Sequence, residues 1–230
     1  MLGYRIYYTM LFLHKYSAFF PAKLNLTAEY YICYMTVRRE QYFNNGVYFI
    51  TFTCYKWLPF FKITDGYNLV YKWFDVLIEK GNHIIGYVIM PNHIHAIIAF
   101  RQSEQNINTQ IGTGKRFMAY DLVTLLEQQG NQQVLQLLEE GVNNTDKKRG
   151  KRHHVFMASF DCKECRSDEF LLQKLDYIHN NPCKGKWNLA DVPGNYLHSS
   201  SNFYATGEPG IYKNVTHFRA LGGIDLTKPC

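Results

Sequence analysis

The chain has 230 residues, of which 47% are hydrophobic and 19% are charged, so it can bury a substantial core and is not disordered as a whole. Its net charge of +6 is a moderate basic excess that permits a polyanionic partner without requiring one. The longest apolar runs are broken by polar residues well before the ~18 residues that a membrane helix requires. We therefore expect a cytoplasmic protein with no membrane partner.

Residues 1–34 differ in character from the rest of the chain. They show neither a helix nor a strand period, and they lack the clean apolar run and small-residue cleavage site of a signal peptide. Strongly alternating sequence begins shortly after Met35. We interpret residues 1–34 as an extension outside the working domain, with Met35 as an alternative start. The domain is expected to cover residues 35–215 and to be followed by a tail at 216–230.

Hydrophobic periodicity and turn residues predict the order of elements within the domain. Strands are predicted at Val47–Cys54, His83–Met90 and His93–Phe100, and helices at Tyr67–Glu79, Lys115–Gln129, Asn131–Glu140 and from Ser167 to Pro182. The polar segments 101–114 and 143–154 are predicted to be loops. The pattern favours an α+β sandwich of the ferredoxin-like or RRM-like kind, with helices packed on one face of an antiparallel sheet.

Two histidines stand on one predicted strand. Because side chains alternate along a strand, His93 and His95 share a face about 6.5–7 Å apart, whereas Ile94, Ala96 and Ile98 point into the core. This geometry suits two imidazoles that converge on one divalent metal ion. The alternative is a pair of structural histidines whose polar atoms are satisfied within the fold.

The last predicted helix carries two polar residues one turn apart. Its core stripe consists of Leu171, Leu175 and Ile178. Lys174, Tyr177 and Asn181 form an adjacent stripe with helical spacing, so Tyr177 and Asn181 face the same way. Alone, this pattern is more typical of an interfacial tyrosine followed by an Asn-Pro helix stop.

Other polar clusters are less specific. Cys162 and Cys165 have the CxxC spacing of a zinc site, but no second pair follows, so we expect reduced thiols instead. Basic side chains are densest in the loop predicted at 143–154, with a smaller patch at the start of the helix predicted at Lys115–Gln129. The predicted contacts to a DNA backbone are Lys115, Arg116, Lys147, Lys148, Arg149, Lys151 and Arg152.

The histidine pair and the downstream tyrosine together resemble one enzyme family. His93-Ile94-His95, followed by the run Tyr177–Pro182, resembles the motifs of single-tyrosine HUH transposases of the insertion-sequence superfamily, in particular the REP-associated tyrosine transposases. The resemblance extends over about residues 35–204 and is supported by the segments 46–53, 86–93, 155–161 and 195–204. It departs from the family at Phe156, where a tryptophan is common, and at Cys183-Lys184-Gly185.

The resemblance implies a role for each residue of the two motifs. His93 and His95 would bind Mg²⁺ or Mn²⁺, Asn181 would add a third ligand through its amide oxygen, and Tyr177 would be the nucleophile. Ligand chemistry alone would also allow Zn²⁺. The implied enzyme cleaves single-stranded DNA beside a REP-like hairpin and transfers the strand through a 5′-phosphotyrosine. It would act in the bacterial nucleoid as a monomer or homodimer.

Three other interpretations make different demands on these residues. A histidine-triad hydrolase would need a third histidine where Ile97 stands. A two-tyrosine rolling-circle nuclease would need a second tyrosine one turn from the first, where the chain has Gln173 and Asn181. The remaining alternative is a non-catalytic protein that binds DNA hairpins and derives from a transposase; the intact motif residues argue against it.

Overall fold

The computed structural model describes residues 45–185 and 187–228. The expected extension at residues 1–34 and the alternative start at Met35 lie outside these ranges. Within them, one antiparallel sheet has the strand order β2-β3-β1-β4. Its strands are β1 (Gly46–Thr53), β2 (His83–Met90), β3 (His93–Phe100) and β4 (Asp161–Glu164). The expected α+β class is confirmed, and the two histidines lie on a central strand.

Helices separate and follow the strands in the described ranges. They are α1 (Phe60–Ile63), α2 (Asn68–Glu79), α3 (Ile107–Gln128), α4 (Gln132–Glu140), α5 (Asn144–Lys148), α6 (Asp168–Asn180) and α7 (Ser201–Thr206). None of these helices combines the length and the apolar character needed to span a bilayer. Short 3₁₀ turns occur at Tyr55–Trp57 and Asn181–Cys183.

Helices cover both faces of the sheet, whereas the sequence predicted them on one face. On the first face, Ile94, Ala96 and Ile98 pack with α2 and α3 in the larger core. On the second face, residues of α6 form a second core with Ile85, Val88 and Ile97 of the sheet. Helix α6 lies over Gly86 of β2, where an added Cβ would be 2.6 Å from Leu175. The missing side chain lets the helix approach the strand closely, so the glycine that interrupts an apolar strand marks where α6 lies.

Helix α3 begins eight residues earlier than its pattern predicts, inside the expected loop at 101–114. The side chain of Asn106 caps it by accepting a hydrogen bond from the amide of Thr109. Of the glycines that suggested a loop, Gly114 has a packing role instead: a Cβ there would lie 2.1 Å from the indole nitrogen of Trp73. The close approach of α2 and α3 therefore explains why a helix contains a glycine there.

Chain segments beyond α6 cover the outer edge of β2. The amide of Ile89 donates to the carbonyl of His198, and that of Ser200 donates to the carbonyl of Tyr87. Residues 216–226 also join the body of the protein, although the sequence suggested a tail from 216: the amide of Thr216 donates to the carbonyl of Ile84, and Leu226 packs against the second core. The covered edge has few unpaired backbone groups to offer another strand.

Candidate active site

The two histidines of β3 lie on the face of the sheet that α6 covers. The ring centroids of His93 and His95 are 4.7 Å apart, and both side chains are buried. The ring of Tyr177, on α6, lies with its centroid 5.2 Å from that of His95. The structure therefore brings together the tyrosine and the histidine pair, which belong to elements far apart in the sequence.

Helix α6 positions Tyr177 through its cap and its apolar stripe. The side chain of Ser167 accepts a hydrogen bond from the amide of Phe170, which fixes the start of the helix. Leu171, Leu175 and Ile178 are buried as predicted. Since Tyr177 lies on the neighbouring stripe, its side chain stays 46% exposed at the edge of the second core, where a substrate can reach it.

Asn181 follows one helical turn after Tyr177 and also reaches His95. Its amide nitrogen lies 3.4 Å from Nε2 of His95. Rotation of the amide by 180° about its last side-chain bond exchanges oxygen for nitrogen at this position. The same side chain can therefore donate a hydrogen bond to the imidazole or present its oxygen beside it.

Neighbouring polar groups fix the tautomer of His93. The amide nitrogen of Asn92 donates to the carbonyl of Trp57 at 3.0 Å, which turns the amide oxygen of Asn92 toward Nδ1 of His93 at 2.7 Å. An amide oxygen only accepts hydrogen bonds, so Nδ1 of His93 carries the proton and the lone pair is on Nε2. This is the pattern that protein ligands of metal ions commonly show.

The environment of His95 favours the neutral imidazole. Burial holds the pKa of His95 well below its usual range, and the nearby His93 and Lys174 lower it further. The hydroxyl oxygen of Thr51 lies 2.6 Å from Nδ1, and the ring of Phe49 stacks on the imidazole at 5.5 Å between centroids. A neutral imidazole with its Nδ1 held by a partner is the form that coordinates a metal ion.

Lys174 brings a positive charge close to Tyr177. Its ammonium nitrogen lies 5.8 Å from the centroid of the Tyr177 ring and 5.2 Å from that of Phe49. Burial lowers the pKa of Lys174, and the charge of Lys163 on β4 lowers it further. A cation at this distance from a phenol favours its phenolate form.

His179 belongs to the same motif run but takes no part in the cluster. Its Nε2 lies 2.9 Å from the hydroxyl of Ser200, and burial lowers the pKa of His179 to about 4. The Ser200 hydroxyl also accepts a hydrogen bond from the amide of Tyr87. His179 thus fastens the C-terminal segment to α6 and β2.

The predicted DNA contacts fall into two groups. Lys115 is turned inward, where its ammonium donates to the carbonyls of Met157 and Ser159, so it positions that segment. The other predicted side chains are exposed: Arg116, Lys147, Lys148, Arg149, Lys151 and Arg152. Lys151 forms an ion pair with Asp146 at 3.1 Å.

The basic loop leads to the end of the sheet that carries His93. After this loop, the amide of Met157 donates to the carbonyl of Thr53, the last residue of β1. Thr53 is directly opposite His93 in the register of β1 and β3. The exposed cations at 147–152 are therefore connected by a few residues to the histidine pair.

Of the CxxC pair, Cys162 lies on the edge strand β4 and Cys165 directly follows it. Cys162 is paired with Ile50 of β1, and burial raises the pKa of Cys162 to about 12 and that of Cys165 to about 11. Both are therefore protonated thiols near neutral pH. In the described part of the chain, no group of three or more His, Cys, Asp or Glu side chains is placed to hold a metal ion. Any metal site at β3 therefore depends on the two histidines with an amide oxygen.

Sequence reasoning missed three residues around the histidine pair. Thr51 could be assigned to His95 only from the register of β1 and β3. Asn92 was interpreted as hairpin punctuation, although its side chain holds both His93 and Trp57. Trp57 itself, whose ring centroid lies 6.0 Å from that of His93, has no sequence signal beyond its position shortly after a strand.

The fold and the cluster define an α+β protein with a histidine pair on a central strand facing a helix tyrosine. No protein-family model and no curated protein sequence matches the chain. A solved structure of a REP-associated tyrosine transposase bound to a REP hairpin is similar to it, with a TM-score of 0.53 and 17% identity, over 81% of this chain and 96% of the other. The chain thus shares the fold of that transposase.

A second solved structure has weaker similarity. It is a Deinococcus radiodurans R1 protein provisionally described as a transposase, with a TM-score of 0.33 and 13% identity over 63% of this chain and 96% of the other. At that score the likeness informs neither fold nor function.

Proposed function

We propose that this protein is a transposase that cleaves single-stranded DNA and transfers the cut strand through a covalent bond to Tyr177. The observation that supports this most is the 5.2 Å distance between the rings of Tyr177 and His95, with Asn181 reaching the same imidazole. A nucleophile and a set of metal ligands are thus within reach of one phosphate. The shared fold with a tyrosine transposase is consistent with the proposal.

The residues of the cluster fit a divalent cation. His93 presents its lone pair on Nε2, His95 is neutral, and Asn181 can turn an amide oxygen toward the same point. Two imidazole nitrogens and one amide oxygen leave further coordination positions for oxygen ligands. This donor set would also accept Zn²⁺, so the proposal of Mg²⁺ or Mn²⁺ follows from the family resemblance. When bound, the ion supplies Lewis acidity to the scissile phosphate.

The chain's own residues account for the covalent step. Tyr177 loses its phenolic proton to solvent, which its exposure permits, and the ammonium of Lys174 stabilises the phenolate. The phenolate oxygen forms a bond to phosphorus, the bond from phosphorus to the 3′ oxygen breaks, and that oxygen takes up a proton. The 5′ phosphate remains on Tyr177. Attack by a 3′ hydroxyl in the reverse sense joins the strand and restores the tyrosine.

The basic loop supports DNA as the substrate. The exposed cations Lys147, Lys148, Arg149 and Arg152 can neutralise phosphates of a nucleic-acid backbone. We propose that the protein binds a strand beside a REP-like hairpin, because the transposase with the shared fold was solved with such a hairpin. The non-catalytic hairpin-binding protein remains the second candidate.

A covalent-adduct assay tests the proposal. The protein is incubated with 5′-tailed hairpin oligonucleotides from its host genome and Mn²⁺, and the products are separated on a denaturing gel. We expect a protein–DNA band that is lost in Tyr177→Phe, because the variant keeps the ring but has no hydroxyl. His95→Ala should abolish cleavage and leave hairpin binding largely intact.

Two outcomes would argue against catalysis. Binding without any covalent band over a panel of hairpins would favour the non-catalytic hairpin-binding protein. Equal loss of binding and cleavage in His95→Ala would mean that the histidines have a structural role. His179→Gln is the matched control for His95→Ala, because His179 lies in the same motif run but contacts Ser200 and not the histidine pair. It should keep cleavage if only the histidine pair binds the metal ion.

A further inference from the structure

An exposed tryptophan lies at the rim of the histidine cluster. The indole of Trp57 is 53% exposed, and its ring centroid lies 6.0 Å from that of His93. Large aromatic side chains on the surface are stacking platforms for unpaired bases, because every base has a flat π face. Trp57 is therefore placed to stack on a base of a DNA strand that is bound at the proposed active site.

The backbone fixes Trp57 relative to His93. Lys56 and Trp57 both have left-handed backbone angles, with φ of 53° and 59°, which residues with side chains rarely adopt. The carbonyl of Trp57 accepts a hydrogen bond from the side chain of Asn92, the same side chain that holds His93. The amide of Cys54 donates to the backbone carbonyl of Asn92. The strained turn is thus anchored directly to the residue before the first histidine.

Trp57 and Tyr177 lie at opposite ends of the histidine pair along the strand. Trp57 approaches His93, the first residue of β3. Tyr177 approaches His95 and also Phe49, which is opposite Ile97 in the register of β1 and β3. A phosphate held at the histidines would therefore have the nucleophile on one side and the indole on the other.

We propose that Trp57 stacks on the base of the nucleotide that keeps the 3′ oxygen when the strand is cut. In phosphoryl transfer the attacking and leaving oxygens are in line on opposite sides of phosphorus. Since Tyr177 attacks from the His95 end, the leaving oxygen departs toward the His93 end, where Trp57 lies. This assignment rests on the proposed function, because it uses Tyr177 as the nucleophile.

Such a platform has a consequence for strand transfer. After cleavage, the 5′ fragment is held by stacking while the other fragment is bonded to Tyr177. The 3′ hydroxyl of this fragment then stays near the phosphotyrosine and can attack it again. The stacked fragment also dissociates from the protein more slowly than it would without Trp57. Trp57 would therefore matter more for retention and rejoining of the cut strand than for the first attack.

The test combines a protein variant with a substrate that lacks one base. The scissile phosphate is first located from the fragment that wild-type protein releases. Binding is then measured by fluorescence anisotropy on a Tyr177→Phe background, so that no cleavage occurs, with an intact strand and with an abasic site at the nucleotide 5′ to that phosphate. Stacking on one base predicts that either Trp57→Ala or the abasic site weakens binding about 5- to 100-fold.

The combination of the two changes decides the proposal. We expect Trp57→Ala with the abasic strand to bind no more weakly than either change alone, and Trp57→Phe to keep most of the affinity with the intact strand. Tyr120→Ala, which removes an exposed aromatic ring on α3, is the control and should leave binding unchanged. Multiplied effects of the two changes, or an abasic effect equally large in Trp57→Ala, would overturn the proposal.

The covalent assay separates this proposal from the proposed function. A wild-type protein that forms no adduct refutes the function and, with it, the assignment of the leaving nucleotide. A normal adduct with independent effects of Trp57→Ala and the abasic site refutes the stacking alone. We also expect Trp57→Ala to form the adduct but to rejoin the strand less than wild type.

Discussion

The hydroxyl oxygen of Thr51 lies 2.6 Å from Nδ1 of His95, across the register of β1 and β3. If Nε2 of His95 coordinates an ion, as proposed above, Nδ1 carries the proton and its N–H donates a hydrogen bond to this hydroxyl. The contact then fixes both the tautomer and the orientation of the ring. Residues that hold a ligand in this way affect metal affinity without touching the metal.

Thr51→Val should therefore weaken Mn²⁺ binding by about 10- to 100-fold, because valine has the same shape and no hydroxyl. Thr51→Ser keeps the hydroxyl and should bind nearly as well as wild type. Calorimetric titration with Mn²⁺ measures both. Unchanged affinity in Thr51→Val would show that the hydrogen bond has no part in metal binding.

Lys174 should affect both the rate of cleavage and its pH dependence. Lys174→Met removes the positive charge beside the negative charge that develops on Tyr177, at a cost of about 1 kcal/mol, or about fivefold in rate. Because burial lowers the pKa of Lys174, its charge is lost at a lower pH than for an exposed lysine. The rate of adduct formation should fall at alkaline pH as Lys174 loses its proton, and Lys174→Met should lack this fall.

Lys163 provides the companion variant for that profile. Its charge is the second cause that lowers the pKa of Lys174, so Lys163→Met should raise that pKa and move the falling limb to higher pH. Single-turnover rates measured against pH give all three profiles. If the rate of Lys174→Met falls at high pH as that of wild type does, the fall arises from the ionisation of another group.

Two glycines of α3 should respond to alanine in opposite directions. A Cβ on Gly114 would lie 2.1 Å from the Trp73 indole, so Gly114→Ala forces α2 and α3 apart and should destabilise the fold by about 1–3 kcal/mol. Gly112 has no atom within 4 Å of an added Cβ, so Gly112→Ala should stabilise by about 0.5–1 kcal/mol. Urea unfolding compares the two, and equal effects would contradict the packing argument.

Tyr204 should make the protein sensitive to alkali. Its hydroxyl donates to the carbonyl of Ile85 at 2.8 Å and accepts from the amide of Phe218, and burial raises the pKa of Tyr204 to about 12. An unfolded tyrosine ionises near pH ~10. Between about pH 10 and 12 the folded state keeps the Tyr204 proton that the unfolded state loses. The stability that the neutral, buried Tyr204 provides is therefore present in full below about pH 10, and it is lost as the pH rises through about 12.

Tyr204→Phe should therefore lower the free energy of unfolding by about 1–3 kcal/mol at pH 8, because the Ile85 carbonyl loses its partner. The difference between the variant and wild type should shrink at pH 11, where wild type has already lost part of its advantage. Urea unfolding at both pH values measures it. A difference that is independent of pH would contradict the assigned ionisation.

The sequence by itself determined the three main strands and the faces of the two motif elements. Alternation along β3 placed His93 and His95 opposite Ile94, Ala96 and Ile98, and the structure confirms this. Helical spacing put Tyr177 and Asn181 on one stripe, and both reach His95. These features are local, since a period of 2 or 3.6 residues fixes which side chains share a face.

Only the tertiary structure decided what depends on contacts between distant segments. The edge strand β4 has too few apolar residues for a strand pattern, and its place depends on pairing with β1. Gly114 suggested a loop and Gly86 stood without a stated role in a predicted strand, but the two glycines permit close packing by Trp73 and α6. The turn that anchors Trp57 to Asn92, and the register that pairs Thr51 with His95, arise only when the chain is folded, because no local period specifies which partner a polar side chain meets.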